Sequence, residues 1–126
     1  MSLVHEELTK TIIGAFYDVY NKLGYGFLEG VYENALMIEL EKINLKAEQQ
    51  VPIKIFYDKK NVGNFYADIL VENSVILELK AVSDLTSSHE AQLLNYLKGS
   101  GLEVGLLLNF GPSPKVSRKI FQDHTV

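Results

Sequence analysis

The stretch Tyr66-Ala67-Asp68-Ile69-Leu70-Val71-Glu72-Asn73-Ser74-Val75-Ile76-Leu77-Glu78-Leu79-Lys80 decides how this 126-residue chain folds. Two apolar-rich runs flank a polar break, the pattern of a β-hairpin. Where the turn falls determines what the charges do. A two-residue loop, Asn73-Ser74, would set Glu72 against Val75 and Asp68 against Leu79, mixing acids and aliphatics on both faces. A three-residue loop, Glu72-Asn73-Ser74, needs one left-handed position, which Asn tolerates. It sets Val71 against Val75, Ile69 against Leu77 and Ala67 against Leu79, a wholly apolar face. The other face then pairs Tyr66 with Lys80, Asp68 with Glu78 and Leu70 with Ile76. Segregation therefore selects the longer loop and predicts two directly opposed carboxylates. Like charges facing each other across a sheet repel, and a cation between them removes the repulsion.

Working outward, the N-terminal side reads as two helices. From His5 to Leu23 the residues Leu8, Ile12, Phe16, Val19 and Leu23 form a helical stripe, and Gly24 and Gly26 supply stop chemistry. A second helix is expected from about Leu28 to Asn44, on Leu28, Tyr32, Ala35, Leu36, Leu40 and Ile43. From Lys46 the period becomes two: Val51, Ile53, Ile55 and Tyr57 alternate with Pro52, Lys54 and Phe56, up to a polar turn Asp58-Lys59-Lys60-Asn61. On the C-terminal side Ser87-Ser88-His89-Glu90 has capping-box spacing and opens a helix through Lys98, ended by Gly99-Ser100-Gly101. Glu103 to Phe110 reads as a strand buried inside a sheet. The segment from Val116 to Phe121 fits a strand or a helix. The order is α-α-β-β-β-α-β, with a final strand left open.

Bulk properties narrow the function. There are no cysteines, which excludes a disulfide framework, an iron–sulfur cluster and a thiolate zinc site, and suits a reducing cytoplasm. No apolar run approaches the ~20 residues of a membrane span, and the N-terminus has no signal-peptide pattern. The expectation is a cytoplasmic protein without membrane contact, built as one domain over residues 1–126. His5, His89 and His124 lack zinc-motif spacing, and His89 reads as part of a helix start. Neither a phosphate-cradling glycine loop nor a nucleophile elbow occurs. The net charge of −4 opposes a stable duplex binder. It opposes a nuclease less, because acidic metal ligands enter the count and Mg²⁺ offsets them locally.

Three constellations carry chemistry. Mg²⁺ takes one or two carboxylates and completes its octahedron with water and phosphate oxygens, and Asp68 with Glu78 is that minimal set. Lys80, two residues beyond Glu78, projects from the same strand face and can orient water or offset charge on a phosphate. Glu29, in the first turn of the second helix, and Glu33, one turn on, are acids within reach of such a metal. Gln92 and Tyr96, four apart on the third helix, offer an amide for the lysine or a phosphate and a ring for a base. Each has a plainer reading: a solvated sheet face, a helix-start acid and an ordinary amphipathic helix.

The segment Gly26-x-x-Glu29-x-x-Tyr32 resembles the motif that names the GxxExxY family, a branch of the PD-(D/E)xK nuclease superfamily. The resemblance runs from Gly24 to about Phe110 and includes Tyr66-Ala67-Asp68, Val75 through Val82, and Glu90-Ala91-Gln92-Leu93-Leu94-Asn95-Tyr96-Leu97. Gln92-x-x-x-Tyr96 is similar to the motif of the RecB-like branch. Ala67 stands where the superfamily label has proline, a position that touches no ligand. The resemblance implies an α/β, restriction-endonuclease-like αβββαβ core with an additional N-terminal helix and a mixed sheet flanked by helices. It implies Mg²⁺ or Mn²⁺ at Asp68 and Glu78, catalytic roles for Lys80 and Gln92, and a helix acid at Glu29, with Glu33 as alternate. The expected activity is metal-dependent hydrolysis of DNA phosphodiester bonds. The alternative is a catalytically silent domain that binds nucleic acid or protein. The acidic charge also suits a cutter whose DNA-binding surface comes from a protein partner or a homodimer.

Overall fold

The computed structural model describes residues 5–122, so His124 lies outside the described residues. Helix α1 (Glu6–Leu23) buries Ile12, Ala15, Phe16 and Val19, residues spaced three or four apart. Helix α2 (Glu29–Lys42) buries Tyr32, Leu36 and Leu40. Leu28 and Ile43, expected in that stripe, are exposed because they are the cap residues, outside the regular turns. Between the helices Gly24 and Gly26 have φ of 67° and 122°, left-handed backbone that glycine adopts freely. The Tyr32 hydroxyl ties this loop down: it donates to the Gly24 carbonyl at 2.7 Å and accepts from the Phe27 amide at 3.1 Å.

Strands β1 (Ala47–Tyr57), β2 (Lys60–Val71) and β3 (Val75–Lys80) form an antiparallel meander. Helix α3 (Ser87–Ser100) then crosses to β4 (Val104–Phe110), parallel to β3, and β5 (Pro114–Ile120) pairs antiparallel to β4. The sheet order is β1-β2-β3-β4-β5. Thus the segment left open between strand and helix is a strand at the sheet edge, pairing from Phe110↔Pro114 to Val104↔Ile120. β4 is buried along its whole length, as its unbroken apolar run requires. One face of the sheet packs on α1 and α2 through Ile69, Val71, Val75, Leu77, Leu79, Leu106 and Leu108. The other packs on α3 through Ile76, Leu107, Leu93 and Leu97. The expected mixed sheet flanked by helices, with an added N-terminal helix, is present.

Val71↔Val75, Leu70↔Ile76 and Ile69↔Leu77 are paired, which is the three-residue-loop register. Two loop residues are left-handed where one was expected, Glu72 and Asn73 at φ 53° each. Glu72 is held there by Lys46, whose carbonyl takes the Glu72 amide at 2.8 Å and whose amide donates to Glu72 Oε2 at 2.6 Å.

The expected continuation, Asp68 opposite Glu78, Ala67 with Leu79 and Tyr66 with Lys80, does not form as ladder pairs, because β2–β3 pairing ends at Ile69↔Leu77. Ala67 belongs instead to the α3-side core with Ile53. The cause lies opposite Asp68, where Gln50 of β1 takes φ 51° and interrupts the β1–β2 ladder between Gln49↔Ile69 and Val51↔Ala67. Alternation resets there, and the two strands continue as an arm lying over α3. Gly99 shows how close they come: a Cβ at that position would collide with the Ile55 side chain.

Two boundaries shift. The arm turns on two left-handed residues, Asp58 and Lys59, with Lys60 and Asn61 already in β2. Helix α3 is capped by Thr86 with His89, not by the Ser87–Glu90 spacing: Thr86 Oγ1 accepts from the His89 amide and His89 Nδ1 from the Thr86 amide. Glu90 is engaged elsewhere, by Ser117 Oγ at 2.9 Å and Lys119 Nζ at 3.0 Å. The helix runs through Gly99 and ends at Gly101, φ 77°.

Candidate functional site

Where β2 leaves β3, two side chains take over the ladder. The Asp68 amide donates to Glu78 Oε1 at 3.0 Å, and the Leu79 amide donates to Asp68 Oδ2 at 2.8 Å. Each carboxylate thus satisfies a backbone donor that a cross-strand carbonyl would otherwise serve. Two of the four carboxylate oxygens are used in this way. Of the others, Asp68 Oδ1 accepts a long 3.5 Å contact from Gln50 Nε2.

Glu78 is only 4% exposed, whereas Asp68 is half-buried. Burial raises the Glu78 carboxyl from 4.5 to about 8, and the charge of Asp68 adds to the rise. The Asp68 amide and the Lys80 ammonium oppose it without cancelling it, and Glu33 pushes it further up. A carboxyl raised by burial beside a second acid marks this point as a candidate functional site.

Lys80 closes β3, half-buried and paired in register with Asn109. Asn109 is fully buried, and its amide clamps Val82 at both ends, accepting from the Val82 amide at 3.0 Å and donating to its carbonyl at 2.9 Å. A Cβ on Gly111 would strike the Val82 carbonyl, so this crossing needs glycine. The chain leaving Lys80 is therefore fixed by two residues that sequence reasoning missed. The available signal was one amide in the otherwise apolar strand Val104–Phe110.

Helix α2 reaches the acids through Glu33. Gln49 Nε2 donates to Glu33 Oε2 at 2.8 Å, and Gln50 Nε2 lies 3.1 Å from Glu33 Oε1 and 3.5 Å from Asp68 Oδ1. Gln50, also missed, bridges the two acids. Its signal was faint: two adjacent glutamines where apolar alternation begins. Glu29 sits exposed at the first position of α2, and the interactions found among the described residues do not join it to Asp68 or Glu78. Tyr32 of the same motif is buried and stacks on Phe110 at 4.3 Å, a structural anchor for the start of α2.

Gln92 and Tyr96 diverge. Gln92 is exposed, while Tyr96 is buried in the α3-side core and tilts against Phe65 at 5.5 Å. Burial and the charges of Glu78 and Asp68 raise the Tyr96 phenol, so its ring lies within the field of the acids. No group of three or more His, Cys, Asp or Glu suited to a metal occurs among the described residues. The residues that could hold a cation are the carboxylate pair Asp68 and Glu78, hard oxygen donors suited to a divalent ion. Among the described residues no helix is long and apolar enough to cross a membrane.

A family model described as the PD-(D/E)XK nuclease superfamily matches residues 6–121. A crystal structure of SSO0001 is similar to the chain with a TM-score of 0.58 at 20% identity, over 94% of this chain. The chain spans 61% of the length of that protein. At this identity the likeness speaks for the fold, which is compatible with the restriction-endonuclease-like class. Among curated proteins none matches the sequence.

Proposed function

The chain belongs to the PD-(D/E)XK nuclease superfamily, and from that premise we propose that it is a Mg²⁺- or Mn²⁺-dependent nuclease hydrolysing DNA phosphodiester bonds. The observation that carries the reading is the interlock of Asp68 and Glu78, which holds two carboxylates together at the point where β2 and β3 part. Gly26-x-x-Glu29-x-x-Tyr32 and Gln92-x-x-x-Tyr96 support a place near the GxxExxY proteins and the RecB-like branch.

The donor chemistry fits a divalent cation: hard oxygen ligands, one of them on an acid that burial makes reluctant to ionise alone. Asp68 and Glu78 would hold the ion, which supplies water activation and charge neutralisation at a phosphate. The side chains do the rest. Lys80, on the Glu78 strand, offers a cation that orients the attacking water and balances negative charge on the phosphate. Glu33, held by Gln49 and Gln50, is the helix acid in this proposal, in preference to the exposed Glu29. Gln50 keeps Glu33 and Asp68 at a fixed spacing, and Asn109 fixes the backbone beyond Lys80. Gln92, exposed on α3, is the amide for a substrate phosphate.

The test is DNA cleavage by purified protein with Mg²⁺ or Mn²⁺. The expected result is cleavage that EDTA stops and Lys80→Ala abolishes with the fold intact. Cleavage indifferent to Lys80→Ala would assign the activity to a contaminant or another mechanism.

A further inference from the structure

The arm made by the ends of β1 and β2 has a composition unlike the rest of the chain. From Val51 to Tyr66 it carries three lysines, Lys54, Lys59 and Lys60, against one acid, Asp58, in a chain of net charge −4. It also exposes aromatic rings: Phe56 is 60%, Phe65 39%, Tyr57 70% and Tyr66 57% exposed. Apart from Phe65, which also tilts against Tyr96, exposed rings so dense on one hairpin mark a contact surface.

Between this arm and α3 lies a cleft of about 600 Å³, lined by Lys54, Phe56 and Phe65 on one side and Asn95 and Lys98 on the other. Its floor is rigid. Ile53 and Ile55 pack with Leu93 and Leu97 of α3, and Gly99 lets the arm come down onto the helix. Phe65, on the wall of the cleft, belongs to the strand that carries Asp68. Phe65 touches Tyr96, whose phenol feels Glu78 and Asp68, and Phe65 precedes Asp68 by three residues, about 10 Å along a strand.

We propose that the cleft between the β1–β2 arm and α3 binds a single-stranded segment of DNA, with bases stacked on Phe56 and Phe65 and phosphates on Lys54 and Lys98, and delivers it toward Asp68 and Glu78. Charge complementarity selects a polyanion, since Lys54 and Lys98 line the cleft and no acid among the described residues does. The rings select unpaired bases, whose faces are open for stacking, over a duplex, whose faces are covered. The inference rests on the nuclease reading of the same site and names the form of its substrate.

The experiment uses the full chain in EDTA, so that binding is read without turnover. Fluorescence anisotropy compares labelled oligothymidylate, which has no self-complementary partner, with a hairpin duplex. Oligothymidylate is expected to bind more tightly than the duplex and to weaken as salt rises. Phe56→Ala and Lys98→Ala, both at exposed positions, are each expected to weaken it about five-fold or more. Binding unchanged in both variants, tighter binding of duplex, or no binding at all would overturn the proposal. So would a chain that self-associates through Phe56 while its DNA binding ignores the substitution, since the surface would then meet a second copy. Cleavage with Mn²⁺, run in parallel, separates the two readings. Arm-dependent binding without cleavage removes the nuclease and leaves the cleft. Wild-type cleavage in both arm variants, with binding unchanged, removes the cleft and leaves the nuclease.

Discussion

Asp68 and Glu78 hold each other through the backbone: the Asp68 amide donates to Glu78 Oε1, and Asp68 Oδ2 takes the amide of the residue after Glu78. This reciprocal arrangement explains how two like charges persist side by side in a folded chain. Each carboxylate replaces a missing strand partner, so removing either leaves a backbone donor unsatisfied as well as changing the charge.

Stability of the metal-free protein should fall as pH rises. The Glu78 carboxyl is raised in the fold from 4.5 to about 8, so the folded state holds a proton that the unfolded chain releases earlier. The contribution of Glu78 is complete below about pH 4.5 and is lost as pH climbs to about 8. Thermal melts across this window in EDTA should show a decline that Glu78→Gln flattens. An equal decline in that variant would place the cause elsewhere.

Divalent metal should offset the same penalty. At pH 8, millimolar-range Mn²⁺ or Mg²⁺ is expected to raise the melting temperature by a few degrees, because an ion that binds only the folded state stabilises it. Asp68→Asn and Glu78→Gln should abolish the shift. A shift that survives in both variants would mean the ion binds at another site.

Lys80→Ala should lower the cleavage rate by roughly 100-fold or more, the usual loss on removing a charge-stabilising group. Circular dichroism and melting should change little, since Lys80 is only half-buried at a strand end. Retained cleavage would remove Lys80 from the chemistry.

Glu33→Gln is expected to slow cleavage at least ten-fold more than Glu29→Gln, a ratio of about 1.4 kcal/mol. Glu33 is tied to Asp68 through Gln50, whereas Glu29 stands exposed. Rates under subsaturating DNA decide it, and the reverse order would return the helix acid to Glu29.

Tyr32→Phe should cost about 1–2 kcal/mol of stability by removing the hydroxyl that serves both Gly24 and Phe27. Asn109→Ala should cost about 2–4 kcal/mol, since both polar groups of Val82 lose their partner. Denaturant unfolding measures both. Activity per folded molecule should survive Tyr32→Phe, and a selective loss of turnover there would give that hydroxyl a catalytic role.

Much of this was legible in the chain itself. Period-two and helical spacing determined the element order as far as β4, leaving β5 open between strand and helix, and the need to keep acids off the apolar face determined the three-residue loop. That loop brought Asp68 to Glu78, because a sheet places every second residue on one side. Local pattern could not show that the ladder ends one pair before the acids. The left-handed Gln50 and the capture of backbone amides by Asp68 and Glu78 both involve residues on different strands, contacts made only once β1, β2 and β3 have come together. Capping was likewise close but displaced, since Thr86 uses His89 while Glu90 is drawn to β5 by Lys119. Gln50, Glu33 and Asn109 belong to the site through neighbours 27 or fewer residues away in sequence, yet on other elements. The sequence by itself determined the elements up to β4, the loop and the acid pair, because these follow from short-range periodicity. Only the tertiary structure decided which helix acid meets them, how Lys80 is held, and that Lys54, Phe56 and Phe65 of the arm line one cleft. Those depend on which distant segments share a surface, and chain spacing carries no record of that.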